Sequence, residues 1–309
     1  MVALQSNKMS QIIRKTVVIT GASDGIGKHA VKHLVDSGAH VVLACRSKEK
    51  TMKVMEDIQQ ATETDAHKQK GSMEFMHLDL ADLDSVKEFA MSFLDKKCRL
   101  DALICNAGVW LGSEKKKTKQ QIELTIGTNH MSYFYLVHLL LDKLKESQPS
   151  RLVIVSSGLH KNGKISQLLT DPNLEQKNAY SGKQAYCNSK LANVLFGYAL
   201  VRHLNNADPL KKQCGISVHV IHPGVVGGTG LFTEAFGSWV SPILKLVLQK
   251  PEHASQCLAY HALDPEVEGV TGMKFYDQWK EKNSCNDSYV EKYQDALWEM
   301  SKKQVGLSQ

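Results

Sequence analysis

The chain has 309 residues, of which 42% are hydrophobic and 23% charged, a composition typical of a globular protein with a full core. The formal net charge of +6 is spread along the sequence. Its densest run, residues 115–119, carries lysines without interleaved aromatic side chains, so binding to nucleic acid is not predicted. The seven cysteines are scattered and form no Cys-x-x-Cys pair, so neither a disulfide framework nor a metal site is predicted.

No linker-like segment and no internal repeat interrupts the sequence, and residues 1–309 are therefore expected to form a single domain. The N-terminal residues lack the apolar core of a signal peptide, and no stretch reaches the roughly 18 apolar residues of a membrane span. The expected location is cytoplasmic. The apolar segment of residues 239–248 has two interpretations, a lid over an apolar pocket, which is favoured, and peripheral contact with a membrane.

Short, continuously apolar runs alternate with longer amphipathic stretches along the chain. The runs cover residues 16–20, 40–45, 74–80, 101–105, 151–156 and 217–221. Continuous rather than alternating apolar residues indicate strands buried on both faces. Between the first two runs, apolar residues recur at helical spacing and Gly38 ends the helix. The pattern predicts an α/β fold with a Rossmann-type, doubly wound parallel sheet of about seven strands flanked by helices, and a small substrate-binding lobe at residues 227–250.

The segment that follows the first strand, TGASDGIG, places three glycines around the start of the first helix. Gly21 permits a tight turn, Gly25 lets backbone N–H groups approach a pyrophosphate, and Gly27 allows close helix packing. A turn without a ligand is the alternative. The predicted cofactor-binding residues of this turn are Gly21, Ser23, Asp24, Gly25, Ile26 and Gly27.

The second strand runs into Arg46 and Ser47, with no carboxylate at its end. A carboxylate at this position binds the ribose 2′-hydroxyl of NAD, whereas an arginine accommodates the 2′-phosphate of NADP. We therefore expect NADP(H) as the cofactor, bound in part by Arg46 and Ser47. The alternative is an arginine that only faces solvent.

Tyr186 and Lys190 lie four residues apart in a predicted helix, so their side chains share one face. A free tyrosine is a poor base at neutral pH, but a nearby ammonium lowers the pKa of the phenol. Ser156 and Ser157 end the fifth strand, where a hydroxyl can bind a substrate oxygen. A Tyr and Lys pair alone is compatible with an ordinary surface pair; the order of the surrounding motifs favours a catalytic site.

Several segments together resemble the short-chain dehydrogenase/reductase family, in particular its retinol dehydrogenase-like, dehydrogenase/reductase and WW-domain-oxidoreductase-like branches. The glycines follow the GxxxGxG spacing, and the other segments are ACRS, LDLADLDSV, SSGLH, AYCNSKLANVLF, HPGVV, LDPEVEGVTGMKFYD and ALWEMS. The resemblance extends from Lys15 to Leu307. Many relatives carry a membrane anchor or a WW domain, and neither is recognisable here.

The resemblance implies a catalytic set of Asn129, Ser157, Tyr186 and Lys190, in which Asn129 holds a proton-relay water and Lys190 also holds the nicotinamide ribose. Further cofactor contacts are implied for Asp79, Leu80, Asn106, Ala107, Gly108, Pro223, Gly224, Val226 and Thr229. The chain departs from the family pattern at Cys105, where relatives have Asn, and at an insertion before Thr229. The stretch between Ser157 and Tyr186 is also longer.

These observations predict an NADP(H)-dependent oxidoreductase that interconverts a lipophilic alcohol and its ketone or aldehyde, with no metal. Aromatic and aliphatic residues at positions 231–250 favour a retinoid-, steroid- or quinone-like substrate, although they could instead pack against a helix or subunit. Family members often form dimers or tetramers through the helices that carry Asn129 and Tyr186, so the resemblance makes a homodimer one possible assembly. His222 is predicted to be structural, whereas His160 is ambiguous, with a place in the lining of the substrate pocket as one interpretation. The alternatives are a catalytically silent NADP-binding regulator or scaffold and a lipid-surface binding protein.

Overall fold

The computed structural model describes residues 14–63, 71–176, 180–207, 215–227, 249–270 and 272–307. The strands are β1 (Thr16–Thr20), β2 (His40–Cys45), β3 (Ser72–His77), β4 (Ala102–Cys105), β5 (Ser150–Val155), β6 (Ile216–His222), β7 (Met273–Asp277) and β8 (Lys280–Glu281). The helices are α1 (Gly25–Asp36), α2 (Lys48–Glu63), α3 (Leu83–Asp95), α4 (Leu124–Ile126), α5 (Ser132–Glu146), α6 (Ile165–Thr170), α7 (Gly182–Ala207), α8 (Pro251–Leu263) and α9 (Glu291–Gln304).

The described strands form one sheet in the order β3-β2-β1-β4-β5-β6-β7-β8. Neighbours from β3 to β7 pair in parallel, and the two-residue β8 pairs antiparallel with β7. The predicted doubly wound sheet is thus confirmed, with a short eighth strand beyond the expected seven. The winding direction reverses between β1 and β4, and in such sheets ligands bind beyond the carboxyl ends of the strands at this point.

Alternate residues of each strand face two separate apolar cores. Val17 and Ile19 of β1 pack toward α1, α2 and α8, whereas Val18 packs toward α3, α5, α7 and α9. Both faces are covered, which explains why the sequences of β1, β2 and β4 are almost continuously apolar. The sheet is thereby fixed between two layers of helices, and its carboxyl edge is a rigid platform for polar side chains.

Local capping signals explain where the helices begin. Asp24 and Asp82 precede α1 and α3, and their side chains accept hydrogen bonds from backbone N–H groups of the first turn. Pro251 occupies the first position of α8, where a missing N–H has no cost. Within the described ranges, no helix has the length and apolar character needed to cross a membrane.

Candidate active site

A cavity of about 280 Å³ opens at the carboxyl ends of β1, β4, β5 and β6. It is lined by many of the residues that the sequence predicted for the cofactor and for catalysis, although these residues extend over about two hundred positions of the chain. The lining residues are Gly21, Ser23, Asp24, Gly25, Ile26, Asn106, Ala107, Gly108, Val155, Ser156, Ser157, Tyr186, Lys190, His222, Pro223, Gly224 and Val226.

The glycine turn packs directly against the loop that follows β4. Gly21 has φ +66°, and a Cβ there would lie 2.7 Å from the Cβ of Ala107. A Cβ on Gly27 would lie 2.3 Å from the Gly21 carbonyl oxygen. Side chains are therefore sterically excluded at both positions, as their predicted roles in a tight turn and in close helix packing require. Gly27 supports the turn from behind and does not line the cavity.

The loop after β4 is held to β1 by a hydrogen-bond network around Thr20. Asn106 donates from its side-chain amide to the Thr20 carbonyl at 2.9 Å, and the backbone N–H groups of Asn106 and Ala107 donate to the Thr20 hydroxyl at 3.0 and 3.1 Å. Tyr133 of α5 also bonds this hydroxyl, at 3.0 Å. Cys105, which replaces the family's Asn, is fully buried in the core, so the loop is secured without that amide.

Tyr186 is 6% exposed and lies against Trp110, with ring centroids 4.4 Å apart and planes inclined by 16°. Burial raises the pKa of Tyr186 to about 12, and a side-chain hydrogen bond with Ser157 acts in the opposite direction. Trp110 was not singled out in the sequence. Its position two residues after the Asn-Ala-Gly segment was the available signal, but only the fold shows which face of the tyrosine it covers.

Lys190 is 2% exposed, and its Nζ donates to the Val155 carbonyl at 3.0 Å. The same nitrogen lies 5.5 Å from the centroid of the Tyr186 ring. Burial lowers the pKa of Lys190 to about 8, because desolvation disfavours the ammonium. The expected lowering of the Tyr186 pKa by Lys190 is not seen here, since burial dominates at both residues and favours the neutral forms.

The two adjacent serines at the end of β5 have different hydrogen-bond partners. The Ser156 hydroxyl donates to the Lys190 carbonyl of α7 at 2.8 Å and is buried. The Ser157 hydroxyl accepts from the Leu159 N–H at 3.2 Å and acts to lower the pKa of Tyr186. Of the two hydroxyls, the one on Ser157 therefore meets the phenol.

Asn129 lies in a π-helical turn, Gly127–Met131, between α4 and α5, and is fully buried. Its amide nitrogen donates to the Val109 carbonyl and to the Ser189 hydroxyl, both at 3.0 Å, and its oxygen accepts from the Val109 N–H at 2.8 Å. The side chain does not line the cavity. It ties the loop after β4 to α7, so it fixes the distance between the glycine turn and Tyr186.

The predicted adenosine contacts lie outside the lining of this cavity. Arg46 is exposed at the end of β2, and the Ser47 hydroxyl accepts from the Lys50 N–H at 3.3 Å at the start of α2. Asp79 accepts from the Ala81 N–H at 2.9 Å, and Leu80 is buried in the core. The glycine turn is joined to β2 by a contact that sequence reasoning missed: the Ala22 N–H donates to the Cys45 sulfur at 3.2 Å.

The segment after β6 forms the remaining wall of the cavity. Pro223, Gly224 and Val226 line it as predicted, and Val226 bridges to Gln249 at the far end of the predicted lobe. Thr229 and residues 239–248 lie outside the described residues. His222 also lines the cavity, and its Nδ1 is buried without a partner among the described residues.

His160, for which a place in the substrate pocket was one interpretation, lines neither of the two cavities near Tyr186. The imidazole is 1% exposed and points away from the cavity wall into contacts with the C-terminal part of the chain. Sequence proximity to Ser157 does not determine the direction of this side chain.

Residues 15–169 match the family described as short chain dehydrogenase. Human retinol dehydrogenase 13 is 38% identical over 299 residues, which cover 95% of this chain and 85% of the human protein. Among solved structures, an uncharacterized protein from Mycobacterium paratuberculosis has a TM-score of 0.71 and 29% identity, covering 94% of this chain and 93% of that one. A short chain dehydrogenase from Shigella flexneri, complexed with NADP, has a TM-score of 0.64 and 24% identity, covering 84% and 95%.

The chain therefore belongs to the short-chain dehydrogenase family and is an oxidoreductase. The family resemblance seen in the sequence, including its retinol dehydrogenase-like character, is confirmed by these matches.

Proposed function

We propose that this protein is an NADP(H)-dependent oxidoreductase that interconverts a lipophilic alcohol and its aldehyde or ketone. The observation that carries the proposal is the convergence of Ser157, Tyr186 and Lys190 on the cavity whose opposite wall is the glycine turn. The proposal treats residues 1–309 as one domain, because both apolar cores share the same sheet.

The donor groups of the cavity suit the pyrophosphate and nicotinamide parts of a dinucleotide. The turn that contains Gly21 and Gly25 lies at the N-terminus of α1, where backbone N–H groups favour a pyrophosphate. The exposed Arg46 at the end of β2 suits a 2′-phosphate, and the Shigella relative was solved with NADP. The nicotinamide, when bound, donates or accepts the hydride.

The side chains of the site then have distinct roles. In reduction, Tyr186 donates its phenolic proton to the developing alkoxide, and Ser157 orients the substrate oxygen toward it. A pKa of about 12 keeps this phenol protonated at neutral pH, which suits a proton donor. In oxidation Tyr186 acts as the base, and the positive charge of an oxidised nicotinamide, when bound, would favour its deprotonated form. Asn129 fixes the loop after β4 against α7.

The substrate class is inferred from a second cavity, of about 650 Å³, next to Trp110. Aromatic and aliphatic side chains line part of it, with polar groups around them: Trp110, Gly112, Ser113, Leu159, Tyr180, Ser181, Gly182 and Lys183. An apolar molecule in this cavity would contact Trp110, whose ring is stacked on Tyr186. The similarity to human retinol dehydrogenase 13 supports the retinoid-like member of the proposed class of retinoid-, steroid- or quinone-like substrates.

The proposal does not include a homodimer through α5 and α7. In this chain α9 packs across both helices, and the Trp298 ring lies 5.1 Å from Phe134 and 4.0 Å from His203 between centroids. A second subunit at this face would have to displace or pack around α9.

The reaction is tested by following NADPH oxidation with retinaldehydes, ketosteroids, quinones and small aldehydes. We expect turnover with a bulky apolar carbonyl, and a fall of about 100-fold or more in kcat for Tyr186→Phe. The matched control is Tyr198→Phe on the same helix, whose hydroxyl bonds Ser284 at 3.2 Å away from the cavity. NADPH binding without oxidation of any substrate would contradict the proposed reaction and leave a cofactor-binding regulator.

The cofactor preference is tested by titrating NADPH and NADH separately. Removal of a charge-assisted contact in Arg46→Ala should weaken NADPH binding by about 10-fold and leave NADH binding unchanged. Lys53→Ala removes an equal charge from an exposed position on α2 and serves as the control. Equal losses for both cofactors, or none for NADPH, would contradict the role of Arg46.

A further inference from the structure

His160 is a buried polar side chain next to the catalytic wall that the proposed reaction does not use. It belongs to the 3-10 turn Gly158–Asn162 that begins directly after Ser157. The residue lines neither of the two cavities near Tyr186. Its role must therefore be sought in its contacts with protein groups.

Both ring nitrogens of His160 have a defined partner. Nδ1 lies 2.7 Å from the Ser157 carbonyl oxygen, and Nε2 lies 3.1 Å from the backbone nitrogen of Cys285. A carbonyl only accepts and an amide N–H only donates, so Nδ1 carries the proton and Nε2 is the acceptor. The imidazole is therefore neutral, and burial, which lowers its pKa, is consistent with this state.

The two partners of this ring lie far apart in the chain. Ser157 follows β5, whereas Cys285 precedes the 3-10 helix Asn286–Tyr289 that leads into α9. The imidazole also packs against Phe275 of β7, with ring centroids 4.8 Å apart. His160 thus connects the end of β5 to a C-terminal turn. Ser157 itself makes no backbone hydrogen bond to that turn.

The bond to the Ser157 carbonyl constrains the hydroxyl of the same residue. The carbonyl accepts two hydrogen bonds from His160, from the backbone N–H at 3.0 Å and from Nδ1 at 2.7 Å. The Ser157 hydroxyl in turn accepts from the Leu159 N–H, and Ser157 lines the same cavity as Tyr186, whose pKa it acts to lower. Rotation of the Ser157 peptide would break the bond to the imidazole and turn the hydroxyl away from the phenol.

We propose that His160 is a positioning residue for the reaction, which anchors the Ser157 carbonyl to the Cys285 turn and thereby holds the Ser157 hydroxyl against Tyr186. The inference depends on the proposed function, because Ser157 orients the substrate oxygen only in that reaction. It assigns His160 no contact with substrate or cofactor.

The test compares two substitutions that differ in one hydrogen bond. His160→Asn keeps an amide donor within reach of the Ser157 carbonyl, whereas His160→Phe keeps the ring volume and loses both bonds. We expect kcat to fall about 10- to 100-fold in His160→Phe, as for other small misplacements of catalytic groups, with KM and NADPH affinity within about threefold of the parent protein. His160→Asn should keep kcat within about threefold even if its melting temperature is lower.

The control is His138→Phe on α5. His138 makes the same kind of bond, from Nδ1 to the Phe134 carbonyl at 2.7 Å, beneath Trp298 of α9 and outside the cavity lining, and its loss should leave kcat unchanged. A parent-like kcat for His160→Phe would overturn the proposal. So would an equal loss in His160→Asn, because activity would then follow packing rather than the hydrogen bond.

Crystal structures of both variants provide a readout that does not need turnover. The Ser157 hydroxyl should move away from the Tyr186 oxygen by about 1 Å or more in His160→Phe and stay in place in His160→Asn. An unmoved Ser157 in His160→Phe would overturn the positioning role. If no carbonyl is reduced by the parent protein, the proposed reaction fails while this measurement still decides the role of His160.

Discussion

Two clusters of polar side chains, each with buried titratable groups, lie on opposite faces of the same sheet. The catalytic cluster, Ser157, Tyr186 and Lys190, lies on the α7 side and borders a cavity. The histidine cluster, His219 of β6 and His261 of α8, lies on the other side. The Nδ1 atoms of these histidines are 3.2 Å apart, and His261 Nε2 is 3.2 Å from the Gln278 carbonyl.

Burial shifts the pKa values of both clusters toward the neutral forms. The pKa of Tyr186 rises to about 12 and that of Lys190 falls to about 8, while the pKa values of His219 and His261 fall to about 3 and about 4. Neither histidine lines the catalytic cavity. A perturbed pKa alone therefore does not identify an active site; access to a cavity separates a group that can react from one that only affects stability.

The largest expected effect distinguishes the two serines at the edge of the catalytic cluster. Ser157→Ala should lower kcat by about 100-fold, because the hydroxyl that orients the substrate oxygen is lost. Ser156→Ala removes only a hydrogen bond to the Lys190 carbonyl and should cost about 1 kcal/mol of stability. Steady-state kinetics and urea unfolding of both variants measure this difference, and similar losses of kcat in the two would contradict it.

The histidine cluster should instead appear in the pH dependence of stability. The pKa values of His219 and His261 are lower in the folded protein than the ordinary 6.5, so the unfolded chain binds more protons below about pH 6.5. Their contribution is present above that pH and is lost as the pH falls toward 4, at about 1.4 kcal/mol per pH unit for each histidine.

Urea unfolding at pH 7, 6 and 5 measures this slope. Replacement of His261 by Met removes one titrating group and should make the slope shallower, with little change in kcat at pH 7. A free energy of unfolding that is constant between pH 7 and pH 5 in the parent protein would show that the cluster is not neutral and buried as described.

The smallest expected effect concerns the ring stacked on Tyr186. Trp110→Leu removes an aromatic contact of about 0.5 to 1.5 kcal/mol and should lower kcat by about three- to tenfold, with NADPH affinity unchanged. Trp110→Phe retains a ring and should remain within about twofold. If the Leu variant had a parent-like kcat with both bulky and small carbonyls, Trp110 would only pack in the core and would not influence the Tyr186 phenol.

The sequence by itself determined the architecture and most of the candidate site. Continuously apolar strands, the glycines after β1 and the spacing of Tyr186 and Lys190 are local patterns, and local patterns are sufficient to specify parallel strands, a phosphate-binding turn and one face of a helix. The family resemblance then identified Ser157 and the loop residues Asn106 to Gly108.

Only the tertiary structure decided how these groups face one another. It turned the Ser156 hydroxyl into α7 and the Ser157 hydroxyl toward the phenol, placed Trp110 on the Tyr186 ring, and directed His160 to the Cys285 turn. Each of these outcomes depends on contacts between residues distant in the chain and on how completely water is excluded around them. Side-chain direction and desolvation are properties of the packed fold, which is why spacing along the sequence could not supply them.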